Sequence, residues 1–201
     1  MSKRIIIVGA FHEMIELCED CGFQIVGIID NQHTGEFYGI PILGTDEDAE
    51  QIYCEYSDCS IVLTPDLPRV RKKLFELYSQ IGFQFATVIS PKAIISRSAK
   101  IGKGTVIQAY VNVSAGSTIG DFVKLNTYAN IMHNDVVGDY ATIAPNAVLL
   151  GYVHVGVSSY IGANSTILPH ISIGGGTTVG AGAVVTKDVN NNVIVKGVPA
   201  K

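Results

Sequence analysis

One short polar run, Met132-His133-Asn134-Asp135, interrupts a long stretch of aliphatic and small residues. An imidazole titrates near neutral pH, so His133 can take up and return a proton as a general base. Two neighbours can support it. Asn134 can orient the ring through its amide oxygen without adding charge, and Asp135 can supply a carboxylate from the next position. Asn134 is the preferred partner. The competing reading of Asp135 is a carboxylate buried at a turn and satisfied by backbone N–H groups. The chain has five histidines, and only His133 sits in such a run. His154 and His170 read as turn or interface residues, and His33 as a solvated loop residue. His12 keeps two readings open: contact with a ligand, or local hydrogen bonding at a helix start.

The other residues with chemical potential are four cysteines, Cys18, Cys21, Cys54 and Cys59. Their spacing allows a four-cysteine metal site. However, Cys18 and Cys21 close a helix and Cys59 opens an apolar strand. Packing as small hydrophobes is the better reading, and no metal is expected.

What must position His133 is a repeat. From Ile89 to Val185 every sixth residue is Ile, Leu or Val, seventeen in succession. A period of six fits neither a helix nor a long strand. It fits a parallel β-helix in which each hexapeptide supplies one short strand and one turn. Three hexads make a triangular coil of eighteen residues, giving five to six coils without an inserted loop. The position four after each aliphatic residue is small or aliphatic, and Asp135 is out of place in that series. Most glycines of the stretch follow the aliphatic residue directly (Gly102, Gly120, Gly138, Gly156, Gly162, Gly174, Gly180), where unusual backbone angles are expected. One coil beyond His133 is Gly151, and one further is Pro169, so the neighbour of the histidine has no side chain. Asn126, Tyr128 and Asn130 in the preceding hexads either line an acceptor pocket or stack in an asparagine ladder.

Residues 1–88 read differently. Arg4–Val8, Gln24–Ile29, Ser60–Leu63 and Gln84–Ile89 are short apolar strands. Between them lie helices over Phe11–Cys21, from the cap at Thr45 to about Glu55, and from Pro68. Alternation of this kind predicts a parallel sheet. The turn after the first strand, Gly9-Ala10-Phe11-His12-Glu13, is where such folds bind phosphates. It has one glycine and an acid, which argues against a dinucleotide site and leaves a nucleotide-sugar site or a purely structural domain. Asp30, ending the second strand, stands where an acid accepts a ribose hydroxyl.

Composition narrows the classes. A net charge of −4 gives no reason to expect nucleic acid or an anionic membrane as partner. No apolar run approaches the ~20 residues that span a bilayer. The basic start MSKR leads into too short an apolar run for a secretory signal. A cytoplasmic location is expected.

The pattern of aliphatic, Gly, two variable residues, small, variable resembles the hexapeptide-repeat acyltransferases. That resemblance implies a left-handed parallel β-helix, usually trimeric, with active sites between subunits and acetyl-CoA as co-substrate. The ending Val195-Lys196-Gly197-Val198-Pro199-Ala200-Lys201 is similar to the close of that family, near where it lays the CoA nucleotide. An α/β domain followed by the solenoid, with the tract Tyr38-Gly39-Ile40-Pro41-Ile42-Leu43-Gly44-Thr45-Asp46, resembles the bacterial sugar acetyltransferases that act on sialic acid or UDP-4-amino sugars. The resemblance implies that residues 1–88 form a Rossmann-like domain holding a nucleotide sugar near Gly9, His12 and Asp30. Residues 89–201 would form the acyltransferase domain.

Within that subgroup the motif is H-[ED]-x-V-[IV]-G, with the histidine as general base. Here it reads His133-Asn134-Asp135-Val136-Val137-Gly138, so Asn134 replaces the acid. The resemblance also places the Gly151 N–H on the acetyl oxygen beside the pantetheine arm. Ala163 and Ala181 match backbone contacts to CoA, and Thr142 falls where the subgroup has a second histidine. The expected function is acetyl-CoA-dependent N-acetylation of an amino sugar, nucleotide-linked, in surface-glycan synthesis. Sugar O-acetylation and a non-catalytic scaffold are the alternatives. A metal-binding solenoid needs converging histidines that this sequence lacks, and a serine acetyltransferase would carry a helical extension.

Overall fold

The computed structural model describes residues 3–201. Met1 and Ser2, the beginning of the basic start noted above, lie outside them. The chain forms two compact units. One runs to Pro65 and takes in Val70–Val88, and the other comprises Asp66–Arg69 and Ile89–Lys201.

The first unit is an α/β layer. Strands β1 (Lys3–Val8), β2 (Phe23–Ile29), β3 (Glu36–Phe37), β4 (Ile40–Gly44), β5 (Ser60–Leu63) and β6 (Gln84–Phe85) form one sheet in the order β3-β4-β2-β1-β5-β6. All its pairs are parallel except the β3–β4 hairpin. The helices are α1 (His12–Asp20), α2 (Ala49–Glu55) and α3 (Pro68–Ile81). β1 is central because Ile5, Ile6 and Ile7 are wholly buried, as a strand covered on both faces requires. Thr45 caps the turn before α2 through a reciprocal capping box with Asp48.

Two readings of this half need correction. Between Asp30 and Thr45, where the four strands read from the sequence leave a gap, lie β3 and β4, and their hairpin closes through Tyr38 and Gly39, both at positive φ. Hairpin turns of that kind require such angles, but no Asn-Gly or Asp-Gly marks this one in the sequence. The strand expected over Gln84–Ile89 is divided into Gln84–Phe85 and Val88–Ile89.

The second unit is a parallel β-helix. Two-residue strands recur at every hexad, and their pairing advances by eighteen residues, as in Asn112↔Asn130 and Asn130↔Val148. They build three sheets of seven, six and five strands. From Ile107 to Val185 every aliphatic repeat residue is at most 2% exposed, so the column of aliphatic side chains is the core. The last coil is shorter: Thr178 pairs with Ile194 and Val179 with Val195, an advance of sixteen.

The glycines after the aliphatic positions are not there for backbone angle, contrary to expectation. Positive φ falls two residues later, at fourteen successive corners from Gly104 to Gly182, with φ between 54° and 75°. Tyrosine, asparagine and histidine fill several of these corners. Some aromatic corners stack on the next coil, as in Phe122–Tyr140 and Tyr110–Tyr128. The glycines instead allow coils to approach. A Cβ on Gly156 would lie 2.5 Å from the Gly175 nitrogen. Because that neighbour is backbone, Gly156→Ala is expected to cost about 1–3 kcal/mol of stability, read as a lower urea midpoint.

Candidate active site

His133 stands at the corner between the strands Asn130–Ile131 and Val136–Val137. Its Nδ1 is 3.2 Å from Asn134 Oδ1. An amide oxygen only accepts, so the ring donates from Nδ1 and keeps its Nε2 lone pair free for a proton. Asn134 has φ 61°, a conformation that asparagine tolerates better than most residues. The corner itself therefore bends this side chain back onto the imidazole.

Gly151 stacks one coil above. A Cβ there would lie 3.1 Å from both Cε1 and Nε2 of His133. Bare backbone thus faces the reactive edge of the ring. Tyr152 meets the imidazole edge-on at 5.2 Å and stacks on His170 at 4.9 Å. His170, eighteen residues and one coil beyond Tyr152, shares this corner at φ 64°, as a turn residue.

Asp135 does not support the ring from outside. It is wholly buried inside the coil. Its Oδ1 accepts from the Val153 N–H at 2.8 Å, while Oδ2 has no partner. The expectation that backbone N–H groups satisfy it holds for one oxygen only. Burial pushes its pKa up to about 7, against the opposing Val153 and Met132 amides and the charge of His133.

Thr142 is not brought to His133. It is fully buried, and its hydroxyl donates to the Asp66 carbonyl at 2.6 Å. Lys124 and Asn126 bond the Asp66 carboxylate in the same place, so Asp66 covers this face of the solenoid. Ala163 and Ala181 stack at the next corner, where the Gly182 N–H donates to the Ala163 carbonyl. Asn130 accepts from Asn112 at 2.9 Å, which settles the ladder reading for that pair, and Tyr128 stacks on Tyr110.

In the first unit, a cleft of about 260 Å³ is lined by Gly9, Ala10, Asp30, Asn31, Asp46 and Thr64 among others. Gly9 has φ 93°, and a Cβ on it would lie 2.3 Å from Thr64 Oγ1. Asp30 holds the turn: its carboxylate accepts from the amides of Ala10, Gln32 and His33 and contacts His33 Nδ1, all within 2.9 Å. Burial alone would raise its pKa, but these bonds together hold it below the usual carboxylate range. His33 is thereby bonded rather than merely solvated. Three of these bonds fall on Oδ1 and one on Oδ2, so Asp30 shapes the turn while Oδ2 keeps an acceptor position. His12 is the first residue of α1, after the Phe11 cap. Its ring stacks on Tyr38 at 3.8 Å and lies 3.7 Å from Glu16.

No disulfide joins the four cysteines, and no group of metal-binding side chains is assembled among the described residues. No helix among them is long and apolar enough to cross a membrane.

No protein-family model and no curated protein matches the sequence. Solved structures do. A histidine-to-alanine variant of GDP-perosamine N-acetyltransferase from Caulobacter crescentus, in complex with CoA and GDP-perosamine, is 31% identical. The match covers 98% of this chain and 95% of that one, with a TM-score of 0.93. The chain belongs to the bacterial hexapeptide-repeat sugar N-acetyltransferases. The acetyltransferase domain of PglB from Neisseria gonorrhoeae, in complex with acetyl coenzyme A, is similar over 100% of this chain and 99% of that one, at 30% identity and TM-score 0.91. WeeI from Acinetobacter baumannii matches over the same shares at 28% identity and TM-score 0.86. This acetyltransferase thus shares its whole length with CoA-dependent relatives.

Proposed function

We propose that the protein transfers the acetyl group of acetyl-CoA to the amine of a nucleotide-linked amino sugar, with His133 as general base. The observation that carries this is the free Nε2 of His133 beneath the bare backbone of Gly151. The amine attacks the thioester carbonyl and gives its proton to Nε2. The tetrahedral oxyanion is held by the Gly151 N–H, and collapse breaks the C–S bond. His133 returns the proton to the departing thiolate. Asn134 fixes the ring tautomer. Ala163 and Ala181 border the path of the CoA arm, and Thr142 stands outside it.

The relatives in complex with CoA and GDP-perosamine support the two substrates. The solenoid, residues 89–201, is assigned as a left-handed acyltransferase domain. Residues 1–88 are assigned as a Rossmann-like domain holding the nucleotide in the cleft shaped by Gly9 and Asp30, with the His12–Tyr38 stack as a flat aromatic face beside it. Asp30 and Asp46 line that cleft, so hydroxyl and base N–H donors suit it better than phosphates. A homotrimer with active sites between subunits, located in the cytoplasm, completes the reading.

The test is release of CoA from acetyl-CoA with GDP-, UDP- and dTDP-linked 4-amino sugars as acceptors. At least one amino sugar is expected to turn over and its 4-hydroxy analogue not. Turnover of the hydroxy sugar alone would show O-acetylation, and turnover of none would remove the reading.

A further inference from the structure

Inside the solenoid, hydroxyl side chains fix how the corner peptides face. Thr105 donates to the Gly120 carbonyl at 2.8 Å, and the N–H of the same peptide, on Asp121, reaches the exposed Asp139 carboxylate at 2.8 Å. Ser159 likewise donates to the Gly174 carbonyl at 2.8 Å, and the Gly175 N–H reaches Asn191 at 2.7 Å. One coil below Asp135, Ser117 donates to the Met132 carbonyl at 2.6 Å. The rule is a carbonyl turned in to a hydroxyl and an N–H turned out. The same hydroxyls also accept from the next coil, as Thr105 does from the Val123 N–H and Ser159 from the Thr177 N–H.

Asp135 occupies this slot and performs the accepting half, through Val153. One coil above the Met132 carbonyl is the Leu150 carbonyl, so the repeat assigns Leu150 as the partner for the donating half. An ionised carboxylate has no proton to donate, and Oδ2 is the one buried side-chain oxygen or nitrogen left without a partner among the described residues. The Leu150–Gly151 peptide also departs from its counterparts. Gly151 has φ 75° in addition to the φ 55° of Tyr152, whereas at other corners only the second of these positions is positive. The peptide above the unpaired oxygen is therefore the one turned out of pattern, and it is hinged on a glycine that can adopt either orientation.

We propose that Asp135 is a positioning residue for the oxyanion donor: as a neutral carboxylic acid it donates from Oδ2 to the Leu150 carbonyl and so turns the Gly151 N–H outward over His133. Ionised, it releases that peptide. This rests on the assignment of His133 and Gly151 as the acetyl-transfer site. Burial favours the neutral acid and holds the group near pH 7, within reach of physiological change. The titratable group whose charge bears on it is His133, two residues away. The facing residues Ser117 below and Leu150, Gly151 and Val153 above carry no charge.

The sign follows from a folded pKa raised above the ordinary carboxylate value. Stability from this group is fully present at low pH and is lost as pH rises through about 7. Activity should fall over the same window, giving kcat an alkaline limb.

The experiment compares wild type, Asp135→Asn, Asp135→Ser, Asp135→Ala and His133→Ala. Asparagine can accept at Oδ1 and donate from its amide at any pH, and serine restores the hydroxyl found at Ser117. Both should abolish the alkaline limb and the loss of urea resistance that accompanies the rise in pH up to about 7. Asp135→Ala should lower kcat about 10- to 100-fold with the KM for acetyl-CoA little changed, and Asp135→Asn should recover most of that loss. Independently of activity, the infrared spectrum of the wild type should show a protonated carboxyl C=O band at pH 6 that is absent in Asp135→Asn. An alkaline limb unchanged in both conservative variants, with His133→Ala inactive, overturns the role of Asp135 and leaves the site intact. Absence of the infrared band overturns it as well. An active His133→Ala overturns the site and the proposal together.

Discussion

His133→Ala should lower kcat about 1,000-fold while leaving both KM values close to wild type. General bases supply roughly 10²–10⁴-fold in rate, and the ring forms its critical bond only as the amine loses its proton. An interaction made only in the transition state appears in kcat rather than in KM. The residual rate should also lose the acidic limb of the pH profile. Asn134→Asp refines the test. In this chain the ring is oriented by a neutral amide, so a carboxylate at 134 adds a charge that stabilises imidazolium and moves the acidic limb to higher pH. An alanine variant with unchanged kcat, or one whose only defect is in KM, would return His133 to the role of a binding or structural residue.

How far the sequence reaches depends on what each feature requires. The solenoid was legible because its signal repeats: each aliphatic residue from Ile107 to Val185 faces the same buried column. The adjacency of His133 and Gly151 was legible for the same reason, since a fixed advance of eighteen converts sequence distance into contact. Glycine was misread, because two different needs select it. At Gly156 it permits backbone approach, and at Gly104 or Gly116 it serves a positive φ that tyrosine and asparagine also meet at other corners. Asp135 was noticed as an exception, but which way it faces depends on the inner hydrogen bonds, and those follow from atoms rather than residue types. Thr142 was placed by alignment alone, and the cover of Asp66 over it comes from a segment 76 residues away. The hairpin at Glu36–Gly44 carries no strong turn dipeptide, and three of the four bonds to Asp30 come from backbone amides, which every sequence has.

Gly151→Val is expected to reduce kcat by more than about 100-fold, the second large loss in the molecule. Two causes act together. Gly151 sits at φ 75°, where a β-branched residue is strongly disfavoured. The new side chain would also start 3.1 Å from His133 Nε2 and Cε1 and grow into the space above them. That space must admit the thioester carbonyl and the attacking amine at about 3 Å from each other. Turning the Leu150–Gly151 peptide relieves the first cause but not the second, because the Cα stays one coil above the ring. Gly151→Ala should therefore fall between wild type and valine: its single methyl displaces the imidazole by a few tenths of an ångström. The KM for acetyl-CoA should rise with side-chain size, while binding of the nucleotide to the cleft around Asp30 stays constant, as judged by calorimetry on the same variants. If valine at 151 turns over at the wild-type rate, the bare backbone above His133 is a packing feature and the acetyl group lies elsewhere.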